Sequence, residues 1–272
     1  MTLTFADGGQ SFGARLFADA PALVALTLLI ALAALPLLAA YQLDPRQFQS
    51  ESIWLKPLKF HAALVIYLGT LVFFARYLPE GLTQSRAWLV YQGFAIACIL
   101  AELLWIGGAA ALGTGSHFNI SSPVWATLYP LMGVAAVTLT SLSLTMGIAI
   151  WRNADTGLAP ALHLSIALGL ILTFILTVIV AGAMSQGTGH HIGTPVTGAR
   201  VPVMGWSREV GDLRLPHFLA THALHALPIV GLLAVRFLPD TPGRLAVWAA
   251  GLGFAALVAL TFAQALSGRP TF

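Results

Sequence analysis

The sequence predicts an all-α integral membrane protein, a single bundle of about seven transmembrane helices. Three observations carry this. Of 272 residues, 58% are hydrophobic and only 8% are charged, against about 25% charged in a typical soluble domain. Apolar runs of about 18 residues or more, long enough to cross roughly 30 Å of hydrocarbon at 1.5 Å per residue, recur along the whole chain. Between them lie stretches rich in the residues that end helices.

In order, the runs place spans at about 20–43, 59–79, 86–112, 123–151, 160–184, 216–238 and 243–266, within one domain covering 1–272. The first is longer than the roughly 7–15-residue core of a signal peptide and reads as a retained span. A connection over about 44–58 holds Trp54, Lys56 and Lys59 in IWLKPLKF, which suits an interfacial segment with an aromatic anchor and snorkelling lysines. LPEG (Leu78 to Gly81), RNADTG (Arg152 to Gly157) and LPDTPG (Leu238 to Gly243) are turn-like. The connection over about 185–215 has some thirty residues, six glycines, two prolines and both His190 and His191. Loops of that length in compact proteins are functional or disordered.

The single cysteine, Cys98, excludes an internal disulfide and reads as a small buried hydrophobe. The net charge of +3 is spread along the chain with no Lys/Arg run, so nucleic acid is set aside as a partner and the lipid bilayer is expected. Seven spans put the N-terminus on one face, A, and the C-terminus on the other, B. Lys and Arg number six on A and seven on B. The A-face positives sit in short connections close to span ends, which favours A as cytoplasmic.

Seven of the eight histidines fall on face B; His163, near the start of the fifth span, reads as structural. His217, His222 and His225 occupy the B-side half of span six. Counted from Pro216 as the first helical residue, His222 and His225 lie about 9 and 13 Å deep on a shared face. Glu102, in AELLWIGG, lies at about 15 Å by the same rise. An ionisable group inside a span costs at least about 2.5–3.5 kcal/mol and faces a partner or a water-filled cavity. Pro228 removes a backbone hydrogen bond and frees the carbonyl of Leu224, which predicts a kink beside the histidine pair.

This pattern predicts a one-sided intramembrane site. Glu102 and Asp212 are its candidate catalytic carboxylates, His61, His222 and His225 its candidate cofactor ligands, and His217, His222 and His225 its candidate metal ligands. Asp212 and Arg214, two residues apart, either pair with each other or leave Asp212 to orient a histidine as an outer acceptor. The expected cofactor is haem b, held by His61 with His222 or His225, or a transition metal such as zinc, copper or iron, for redox or hydrolytic chemistry on a small molecule. No HExxH, CxxC or CxxCH motif is present to name one. Two other classes are open. A proton- or cation-coupled transporter would use Glu102 and the histidines as a relay, helped by Pro130, Pro228 and the hydroxyl-rich TLTSLSLT. A structural or assembly protein would use the same groups as interhelical glue.

The blocks WLKPLKF (Trp54 to Phe60), SHFN (Ser116 to Asn119) and GDLRLPHFLATHA (Gly211 to Ala223) resemble blocks of uncharacterised bacterial inner-membrane proteins of similar length. The resemblance implies a bacterial inner-membrane location and no mechanism or ligand set.

Overall fold

A chain this apolar satisfies its backbone polar groups within helices, and the computed structural model, which describes residues 12–272, is built almost wholly from them. It divides into two compact units, residues up to Gly115 and Ser116–Phe272.

The first unit holds α1 (Phe12–Asp19), α2 (Pro21–Leu43), a two-residue hairpin of β1 (Gln47–Phe48) and β2 (Glu51–Ser52), α3 (Leu55–Phe74) and α4 (Arg86–Ala111). Pro21 opens α2 at a position where its missing N–H costs nothing. Ser85 caps α4 by accepting from the Trp88 N–H. α4 ends in a Schellman turn: Gly113, at φ 68°, donates to Ala110 O and Thr114 donates to Ala109 O. The interfacial segment is pinned as a unit. Trp54 Nε1 and the Arg46 guanidinium both donate to Asp44, and Arg46 Nη1 also donates to Ala111 O at the open end of α4, at 3.0 Å. Those donors hold the Asp44 carboxyl well below its usual range.

The second unit holds α5 (Pro123–Arg152), α6 (Pro160–Ser185), β3 (His191–Ile192), β4 (Gly211–Asp212), α7 (Arg214–Thr221), α8 (Ala223–Phe237) and α9 (Asp240–Leu266). α6 is its axis, packing against α5, α7, α8 and α9. Small residues let the backbones close in, as membrane helices require where hydrocarbon gives no hydrophobic drive. Along α6 against α8 the contacts run antiparallel. A Cβ on Gly231 would fall on Ser165 Oγ, and one on Gly169 would lie 2.9 Å from Ala223 O and 3.3 Å from Leu224 Cα. At one end Gly243 of α9 meets Ala161 and Ala234; towards the other Val180, Ala220 and Val258 form a buried cluster.

Among the described residues six helices are long and apolar enough to cross a membrane, and α7 with α8 makes a seventh as one span bent by 48°. The antiparallel contacts carry that pair from the C-terminal end of α6 to its N-terminal end, so it crosses instead of returning. The protein is therefore a multi-pass membrane protein. The sixth span is bent beside the histidine pair, as the sequence suggests, and the bend is a break: helix stops at Thr221 and restarts at Ala223, leaving His222 at φ −105°, ψ 4° between them. Pro228 lies six residues beyond the break, inside α8.

Candidate metal site and the broken span

The long connection between α6 and α7 is folded. Glu209 accepts from the backbone N–H groups of Val196, Thr197 and Ala199 and from the Thr197 hydroxyl, which pulls its pKa down to about 2, the Thr197 hydroxyl contributing most. β3 pairs antiparallel with β4, setting His191 opposite Asp212, and Leu213 N–H donates to His190 O. Arg200 and Ser207 form a further antiparallel bridge. The Trp206 ring stacks on Phe272 at an interplanar angle of 7° and meets Phe218 edge-on. β4 lies so near the end of α9 that a Cβ on Gly211 would fall on Ala265 O; only glycine fits there.

This fold converges on Asp212. Its Oδ1 accepts from Arg214 N–H at 3.0 Å and Arg214 Nε–H at 2.9 Å, and its Oδ2 accepts from Ser207 N–H at 2.8 Å and Arg214 Nη2 at 2.6 Å. His191 Nε2 stands 3.4 Å from the same Oδ2 and 3.4 Å from Arg214 Nη2. Burial alone would raise the Asp212 pKa, but the contacts with His191 and Arg214, joined by the Ser207 N–H, outweigh it and hold the carboxyl well below its usual range. The His190 ring lies edge-on to His191 at 4.2 Å between centroids. His190, His191 and Asp212 each offer a ligand atom within 4.8 Å of the others, and they are the one such trio of His, Cys, Asp or Glu among the described residues.

Of the alternatives posed for Asp212, the pairing with Arg214 is present, while the facing histidine, His191, stands at 3.4 Å. Its histidine neighbours are His190 and His191, not the helical ones. The hydrogen bonds of the β3–β4 pair span some twenty residues of loop, so no local spacing marks them. The HH pair inside a long glycine-rich loop followed by GDLR was the available signal.

The helical histidines gather at the break. His222 Nδ1 lies 2.6 Å from Phe218 O; a carbonyl only accepts, so Nδ1 carries the proton and Nε2 keeps its lone pair. The rings of His222 and His225 are 5.3 Å apart, and His222 stands within electrostatic reach of both His217 and His225. His217 Nδ1 is fully buried with no hydrogen-bond partner among the described residues. Thr173 of α6 stabilises the break: its hydroxyl accepts from the Leu224 N–H at 2.8 Å, one of the donors a new helix start leaves over.

Glu102 and His61 belong to the first unit. Glu102 is 3% exposed on α4, within electrostatic reach of Lys56. His61 is buried on α3, and its Nδ1–H donates to Pro57 O at 2.8 Å, which leaves Nε2 as the acceptor. His163 bonds Ile150 O through Nε2 at 2.6 Å, tying α6 to the end of α5. In the SHFN segment Ser116 bonds His117, and Asn119 accepts from Ser121 N–H.

No protein-family profile, curated protein or solved structure matches the chain.

Proposed function

We propose that this membrane protein holds one divalent transition-metal ion on its α6–α7 connection, with His190, His191 and Asp212 as ligands. The supporting observation is the convergence of three donors on one point, and the His191–Asp212 distance fits it. At 3.4 Å this contact is long for a hydrogen bond. It matches the edge of about 3.3 Å between two ligands on a tetrahedral ion bound at about 2.0 Å. Two histidines and one carboxylate suit zinc, and the same donors also take copper or iron. Three protein ligands leave a fourth position for water, the arrangement of catalytic sites, so hydrolysis of a small molecule is the chemistry this set fits. An ion is favoured because its three donors lie on one connection, with ligand atoms within 4.8 Å of one another.

Arg214 is the competitor. Its Nη2 sits 2.6 Å from the Asp212 oxygen that faces His191, so binding an ion requires that contact to open while the Arg214 N–H keeps its bond to Oδ1. Location in a bacterial inner membrane follows from the resemblance of the three sequence blocks and belongs to the same proposal.

Protein purified in mild detergent without chelator is expected to carry close to one equivalent of zinc, copper or iron by elemental analysis. His190→Ala and His191→Ala should each lose most of it, and Arg214→Met should bind added zinc at least tenfold more tightly than wild type. Metal content that neither histidine substitution alters would refute the assignment.

A further inference from the structure

We propose, resting on the metal assignment above, that the substrate of this site is a phosphate monoester whose phosphoryl group bridges the ion and the guanidinium of Arg214.

Arg214 is held beside the ion by bonds that the ion leaves intact. Its backbone N–H and Nε–H both donate to Asp212 Oδ1, at 3.0 and 2.9 Å, and its Nη2 donates to Gly205 O at 2.6 Å. Only the Nη2 contact with Oδ2 has to open. The guanidinium therefore stays at the ligand set, where its Nη2 stands 3.4 Å from His191 Nε2. Two cationic groups that close repel each other, and an anion placed between them turns that cost into attraction. The fourth position on the ion is where such an anion fits.

Phosphate suits this pair better than a carboxylate does. The contacts of the guanidinium run through Nε and Nη2. Once Nη2 leaves Oδ2, Nη1 and Nη2 present a second fork, the geometry that binds carboxylates and phosphates through two oxygens. A carboxylate spends both its oxygens on that fork. A phosphate monoester has three terminal oxygens, two for the fork and one for the ion, and a charge of about −1.5 to −2 at pH 7. The same two groups then stabilise the charge spread over those oxygens as the ester is cleaved. Water adds to phosphorus, the ester P–O bond breaks, and the departing oxygen takes up a proton from that water, so ester and water give alcohol and hydrogen phosphate. For the alcohol part there is an apolar wall: Trp206, next in the chain to Gly205, stacks on Phe272 and meets Phe218 edge-on.

The test uses zinc-loaded whole protein in mild detergent, titrated calorimetrically with inorganic phosphate and, for comparison, with acetate. Phosphate should bind at least tenfold more tightly than acetate. Arg214→Met, which keeps zinc, should weaken phosphate at least tenfold, and Arg214→Lys, which keeps the charge without the fork, at least threefold. Phosphate release from nitrophenyl phosphate, set against release from phosphatidic acid in detergent micelles, separates a soluble ester from a lipid one; release from neither overturns the substrate assignment. Phosphate bound no more tightly than acetate, or bound equally by wild type and both Arg214 variants, overturns the inference while the zinc content still upholds the ion. Wild type that holds no zinc overturns both.

Discussion

At the scale of single residues, Asp212 does the most. It fixes the turn after β4 through its own chain, closes on Ser207, and holds Arg214 and His191 at once. Because its pKa is depressed by folding, the stability it confers is present above the unfolded carboxyl value of about 3.9 and is lost as pH falls through the lower folded value. In metal-free protein, amide exchange at Ser207 and Arg214 should therefore show unchanged protection from neutral pH to about 4, and lose it only in stronger acid. Asp212→Asn should abolish that acid transition and release Arg214; an exchange profile that already collapses between pH 6 and 5 would contradict this. Asp212, Glu102 and the eight histidines stand out in the sequence because charged or imidazole groups are rare in so apolar a chain. Which of them meet was not legible, since the pairing of His191 with Asp212 depends on a strand register set by the whole loop.

At the scale of elements, the broken span is the feature that hydrophobicity does not announce. Length, caps and N-terminal prolines mark the helices well, and six spans match the apolar runs within a few residues. His222, by contrast, is flanked by Thr221 and Ala223 and has neither Pro nor Gly beside it to signal a stop. The break is a tertiary effect, in which Thr173 on α6 replaces the lost intrahelical partner of Leu224 N–H and Gly169 admits the backbone of α8. Thr173→Val should leave a buried N–H unsatisfied and cost about 1–3 kcal/mol, read as a lower Tm in detergent. Thr173→Ser should retain most of the wild-type value. Equal melting of the valine variant and wild type would remove Thr173 from this role.

At the scale of the whole molecule, the antiparallel path of α6, α7–α8 and α9 places the α6–α7 connection and the end of α9 on one side of the membrane, and the α5–α6 turn on the other. In a Cys98→Ser background, single cysteines at Val196, which is 91% exposed, and at Phe272 should react with a membrane-impermeant maleimide from the same side, and one at Asp155 from the opposite side. Labelling of Phe272 from the side of Asp155, opposite Val196, would mean that the α7–α8 pair does not span. The loop itself should depend on its seat against α9: Gly211→Ala, whose Cβ would fall on Ala265 O, should expose the connection to protease and release its metal together.

The central claim is the ion on that connection, and zinc-edge X-ray absorption of detergent-purified protein tests it most directly. The expected spectrum has two imidazole nitrogens and two further light donors at about 2.0 Å, and it disappears in His191→Ala while the variant keeps its helical circular dichroism. Protein that stays metal-free after zinc is added, or a zinc spectrum identical in wild type and His191→Ala, would contradict the account.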